Sequence, residues 1–151
     1  MYARGMVQSG VPRLEDQICF ALHSASRSIT GRYRSLLAPL GLTYPQYLVM
    51  LVLWETGTSS IKDLSDRLFL DSGTLSPLVR RLETLSLVAR TRSSADERVV
   101  EVVLTQAGDD MRSRAPQIAE QICASTGLPL DKLQKLQQQI ASLSQRVRAL
   151  T

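Results

Sequence analysis

The sequence is poor in the residues that build metal centres and catalytic arrays. It has one histidine and two cysteines in 151 residues, with the cysteines far apart at positions 19 and 123. That set offers no recognisable metal-ligand spacing, and no glycine-rich loop is present to cradle a phosphate. No metal or cofactor is expected, and no conventional catalytic array surrounds either thiol. Long apolar runs are missing too. The longest, LVMLVLW from Leu48 to Trp54, is far too short to span a bilayer. The opening MYARGMVQSGVPR lacks the apolar core of a secretory signal. A cytoplasmic setting is the expectation, with no membrane partner. There both thiols rest reduced, either packed in a core or open to oxidant.

What the chain does have is ordinary globular composition, 44% hydrophobic and 21% charged, with a formal net charge of +4 that favours a polyanionic partner. Residues 1–13 read as a flexible tail, and 14–151 as a single domain. Apolar residues at Leu14, Ile18, Leu22, Ala25, Ile29, Tyr33 and Leu36 predict one long helix, ended by Pro39 and Gly41. TYPQYLVMLVLWE opens with a capping box of Thr43 and Gln46; apolar nearly all round, it predicts the buried centre. After a break at Gly57 and TSS comes a short amphipathic helix capped by Ser60. DSGT then reads as a tight turn, and LSPLVRRLETLS as the next helix.

The period then changes. LVART and VVEVVLT read as two strands around a charged hairpin tip, RSSADER. Thr105 starts a further helix with a kink at Pro116. The last helix repeats Leu133, Leu136, Ile140, Leu143, Val147 and Leu150 as a heptad seam. The fold class expected is mainly α with a small β hairpin: a winged helix-turn-helix over 43–105, flanked by dimerisation helices over 14–39 and 106–151.

That order suits double-stranded DNA. The second helix of the pair can enter the major groove while the hairpin tip reaches a minor groove. Ser72, Thr74 and Ser76 crowd the end that meets base edges, and Arg80 and Arg81 lie where they could hold phosphates. The tip offers Arg92, Asp96 and Arg98, an arginine beside a carboxylate as a fork for a narrow groove. A two-fold dimer would cover the flanking apolar stripes and space the two reading helices about one DNA turn apart, roughly 34 Å.

LEDQICFAL, RYRSLLAPLGLTYPQYLVMLVLWE, LDSGTLSPLVRRLE and RTRSSADERVVEVVLT together resemble the organic hydroperoxide regulators (OhrR), a branch of the MarR family, in its two-cysteine form. The resemblance runs from Leu14 into the last helix, and QICF and LTYPQY are its most specific segments. It implies a homodimeric repressor that holds a palindromic operator when reduced and lets go when an organic hydroperoxide oxidises it. The sensing thiol falls on Cys19, and the two partner-subunit tyrosines that hold its thiolate fall on Tyr33 and Tyr44. The resolving thiol falls on Cys123. His23, four residues after Cys19, stands where this branch more often has tyrosine. It either supports the thiolate when protonated or simply packs or meets water. Tyr33 cannot reach Cys19 along their shared helix, since fourteen residues at about 1.5 Å each leave roughly 21 Å between them. Three other readings stay open: a MarR-type repressor that senses a small aromatic ligand, its thiols inert; a thiol peroxidase built on Cys19; and a purely architectural DNA binder.

Overall fold

The computed structural model describes residues 11–150, so most of the tail expected over 1–13, and Thr151, lie outside the described residues. Contacts divide the chain into two compact units, one running to Asp109 and the other starting at Asp110.

In the first unit, helix α1 spans Ile18–Leu37. It does not begin at Leu14, as the apolar stripe suggested. Leu14–Asp16 form a 3-10 turn, and Gln17 adopts an extended backbone (φ −85°, ψ 117°) that interrupts the spiral. The stripe continues across the break because a 3-10 turn places side chains at nearly helical intervals. The helix closes through a second 3-10 turn at Ala38–Leu40 and a left-handed Gly41. Helix α2 (Tyr44–Thr56) then starts on the expected capping box, with Thr43 N–H donating to the Gln46 side chain at 2.9 Å. It is the centre of the core: Tyr47, Val49, Met50, Val52, Leu53 and Trp54 are all buried.

Thr58–Ser60 form a strand, β1, where the sequence suggested only a break. Helix α3 (Ile61–Leu68) follows, with Ser60 Oγ accepting from Asp63 N–H at 3.0 Å. Helix α4 spans Ser72–Thr84. DSGT is thus not a separate turn: Asp71 is the cap and SGT the first turn of α4. The chain then forms β2 (Val88–Arg92) and β3 (Val100–Leu104). The expected hairpin is therefore part of a three-stranded antiparallel sheet ordered β1-β3-β2. Ser59 pairs with Val102 on one side of β3, and Arg90 pairs with Val102 on the other.

Helix α5 (Gln106–Asp110) begins on Thr105, whose Oγ1 accepts from Gly108 N–H at 3.1 Å. Gly108 is obligatory here. A β-carbon on it would stand 2.0 Å from the Leu87 carbonyl oxygen. Its own carbonyl accepts from the buried indole of Trp54 at 2.8 Å, which pins α5 to α2.

The second unit carries a 3-10 turn at Met111–Arg114, helix α6 (Ala115–Thr126) and helix α7 (Leu130–Arg148). Pro116 does not kink a continuous helix. It sits in the first turn of α6, where its missing N–H breaks no internal bond. No residue of α7 is buried, and α1 buries only Leu37. No single helix among the described residues is long and apolar enough to cross a membrane.

Candidate nucleic-acid interface and thiol site

Two groups of side chains in the first unit carry the functional expectations. The first is built on α3, α4 and the hairpin. Asp71 holds the start of α4 through two bonds to Thr74: the backbone N–H donates to one carboxylate oxygen at 2.7 Å and the hydroxyl to the other at 3.1 Å. Those bonds hold the Asp71 carboxyl below its usual value of 3.8. Ser72, Thr74 and Ser76 all lie exposed in the first half of α4, with Arg80 and Arg81 exposed further along. Leu75, Val79 and Leu82 point into the core, so the polar residues have the opposite face to themselves.

The hairpin tip is ordered by its own bonds. Ser93 N–H donates to Val99 O and Val99 N–H to Asp96 O, each at 2.9 Å. Arg98 meets Asp96 through both its backbone N–H at 3.0 Å and its guanidinium Nε at 3.2 Å, while its side chain stays 92% exposed. Arg92, also at the tip, is exposed and bonded to the loop backbone. Its Nη1 donates to Glu97 O at 2.8 Å, closing the tip. Sequence reasoning missed one further link. Glu83 on α4 pairs with Arg90 on β2, N to O at 2.9 Å, bracing α4 against the hairpin. The opposite charges were visible, but only the fold brings them together.

The second group surrounds the tyrosines. Tyr33 and Tyr44 meet with ring centroids 4.6 Å apart, and Tyr33 also lies 5.8 Å from Tyr47. Tyr47 in turn stands edge-on to Trp54 at 5.9 Å. Burial pushes the phenols of Tyr44 and Tyr47 above their usual value of 10.0, and for Tyr47 the neighbouring Tyr44 adds to it. At neutral pH both are O–H donors. Tyr47 and Trp54 were singled out only as core.

Cys19 is exposed in the first turn of α1, and His23 lies exposed one turn further on. Helix α1 is unbroken from Ile18 to Leu37, so Tyr33, fourteen residues beyond Cys19, stays roughly 21 Å away within one chain. Cys123, in the second unit, is half-buried on α6, and both thiols are free. Among the described residues, no three His, Cys, Asp or Glu side chains gather in one place.

Comparison with known proteins places these features in context. A family profile described as transcriptional regulator SarA/Rot matches residues 32–114. The chain is 45% identical over 106 residues to the organic hydroperoxide resistance transcriptional regulator of Bacillus subtilis, covering 70% of this chain and 72% of that protein. It is 43% identical over 136 residues to the HTH-type transcriptional regulator TtmR of Methylorubrum extorquens, covering 90% and 70%. Among solved structures, reduced AbfR bound to DNA superposes with a TM-score of 0.75 at 33% identity, covering 92% of this chain and 94% of that one. AbfR, from Staphylococcus epidermidis, has also been solved in a disulfide-formed state.

Proposed function

The chain belongs to the MarR-type winged-helix transcriptional regulators, beside the organic hydroperoxide regulators, and from that premise we propose that it is a thiol-switched repressor acting as a homodimer on double-stranded DNA. In this reading α4 enters the major groove with Ser72, Thr74 and Ser76 at base edges. Arg80 and Arg81 hold phosphates, and Arg98, oriented by Asp96, enters the neighbouring minor groove. Arg92 keeps the tip in shape for that contact.

One observation carries the sensing half. The adjoining pair Tyr33 and Tyr44 offers phenol donors, yet α1 is a single unbroken helix that keeps Cys19 of the same chain about 21 Å from Tyr33. Only a second copy can bring its Cys19 to those phenols, so the sensing site exists in the dimer alone. The unburied apolar faces of α1 and α7 supply the surface for that pairing.

The thiolate of Cys19 attacks the terminal oxygen of an organic hydroperoxide. The O–O bond breaks, the sulfur becomes a sulfenic acid, and the alkoxide leaves as an alcohol after taking a proton. The Cys123 thiol then attacks the sulfenic sulfur; an S–S bond forms and water departs. A disulfide requires Cα atoms within about 7 Å, so its formation fixes the helices that carry the two cysteines and resets the spacing of the reading helices. Ile18 and Phe20, exposed on either side of Cys19, offer an apolar approach that suits an organic peroxide.

The test is a mobility shift on DNA from the chain's own promoter region, before and after one equivalent of cumene hydroperoxide. Wild type should release the DNA, Cys19→Ser should bind and ignore oxidant, and Cys123→Ser should respond with an altered or more reversible release. Release by Cys19→Ser as complete as that of wild type would overturn the thiol switch.

A further inference from the structure

Phe69 closes α3 with a left-handed backbone, φ 54°, and its side chain is 69% exposed. Both features are unfavourable on one residue. The left-handed conformation crowds Cβ against the backbone carbonyl, which is why glycine or asparagine usually ends a helix this way. An exposed phenyl ring adds the hydration penalty of apolar surface. Among the described residues, the other non-glycine with positive φ is Ser86, a small polar residue in a turn.

The backbone around Phe69 is held from both sides. Its own N–H and that of Leu70 both donate to the Ser65 carbonyl, and the Ser65 hydroxyl donates to the Leu70 carbonyl. Asp71 then caps α4. The turn therefore fixes the conformation of Phe69 and keeps its ring outside the core. Strain that the surroundings maintain in this way points to a function. The position is equally specific: Phe69 lies in the turn of the helix-turn-helix, three residues before Ser72. At about 3.3 Å per residue, its backbone is within roughly 10 Å of the groove-facing end of α4.

We propose that Phe69 is a specificity residue, an apolar contact to a thymine 5-methyl group in the major groove beside the bases met by Ser72 and Thr74. The methyl is the apolar group that a base pair presents there, and only thymine carries it. The exposed residues that follow, Asp71, Ser72 and Thr74, are polar and serve hydrogen bonding, so Phe69 adds the complementary apolar reading. The proposal rests on the DNA-binding reading above.

The experiment starts with the duplex that the wild-type chain enriches from a random-sequence pool, and with the same duplex carrying uracil in place of every thymine. The exchange removes the methyl groups and leaves base pairing intact. Wild type should bind the uracil duplex roughly three- to tenfold more weakly. Phe69→Gly should bind the thymine duplex with the same loss, show no further loss on uracil, and keep the wild-type salt slope, because no phosphate contact changes. Its melting temperature should hold or rise, since glycine tolerates positive φ. Phe69→Leu should keep most of the discrimination. Equal binding of both duplexes by wild type would overturn the proposal, as would an equal thymine preference in Phe69→Gly. A lowered melting temperature with parallel losses on selected and unselected DNA would instead make Phe69 a purely structural residue and overturn it too. If the wild-type chain enriches no duplex, the DNA-binding reading itself fails, an outcome distinct from the others.

Discussion

The ring of Tyr33, near the end of α1, lies 4.6 Å from that of Tyr44, the first residue of α2, with the two planes tilted by 38°. The short 3-10 turn between the helices and the left-handed Gly41 make this contact, because they turn the chain back before α2 begins. Tyr44→Phe keeps the ring and removes the hydroxyl. If that hydroxyl donates to the partner's thiolate, the substitution removes a charge-assisted hydrogen bond of about 1.5–3 kcal/mol. Oxidation of Cys19 by cumene hydroperoxide, followed by trapping of the sulfenic acid and mass spectrometry, should slow by roughly tenfold or more, with DNA affinity in the reduced state unchanged. An unchanged oxidation rate would remove the phenol from the mechanism.

The tyrosines continue into the core through Tyr47 and Trp54 to the carbonyl of Gly108, two residues ahead of the second unit. Trp54→Phe leaves that buried carbonyl without its indole donor, a loss of about 1–3 kcal/mol, to which the lost ring volume adds. Gly108→Ala is the harsher change. Its new carbon would meet the Leu87 carbonyl oxygen at 2.0 Å, and that oxygen already accepts from Thr105 N–H at 3.1 Å, so neither side can yield cheaply. Thermal unfolding should show Gly108→Ala well below Trp54→Phe. A Gly108→Ala protein with the wild-type melting point would show that α5 can shift without harm.

Much of this was legible in the sequence because caps and periods are local. The Thr43–Gln46 box, the Ser60 cap, the core helix around LVMLVLW and the heptad seam each announce themselves within a few residues. β1 did not, since three residues, TSS, are too few to show alternation. That strand exists because β3 has a second edge to satisfy. The break at Gln17 was hidden by a stripe that runs through it, and with it the placement of Cys19 in the first turn of α1. The meeting of Tyr33 with Tyr44, the Glu83–Arg90 brace and the Trp54 bond to Gly108 join distant segments. No spacing rule reaches them.

Asp71 makes the start of α4 sensitive to acid. Its bonds from Thr74 hold the carboxyl below 3.8, so the unfolded chain takes up a proton there before the folded chain does. The stabilisation is complete above pH 3.8 and is lost as the pH falls through the lower folded-state value. Asp71→Asn keeps an acceptor for the Thr74 N–H but does not titrate. Its stability should therefore fall less between pH 4 and pH 2 than that of wild type, measured by urea unfolding at each pH. Asp71→Ala should lose the cap at neutral pH as well. Parallel acid curves for wild type and Asp71→Asn would count against the cap as the titrating element.

The dimer is the premise that the sensing site cannot do without, and α7 allows it to be tested separately from folding. Leu136, Ile140 and Val147 are 42%, 38% and 54% exposed on one stripe of a helix in which no residue is fully buried. Burying each against a second copy would contribute up to about 1.5–3 kcal/mol, so two charges in the stripe should exceed what a dimer can absorb. Leu136→Glu with Ile140→Glu should sediment as a monomer with an unchanged helical circular dichroism spectrum, because no core contact is touched. The monomer should also lose high-affinity DNA binding, since one reading helix spans only one half-site. On the proposed mechanism its Cys19 should react with hydroperoxide no faster than an exposed thiol in a short peptide, because the activating phenols would belong to the missing partner. A variant that sediments as a monomer yet keeps wild-type oxidation kinetics would separate sensing from dimerisation and leave the tyrosine pair as simple packing.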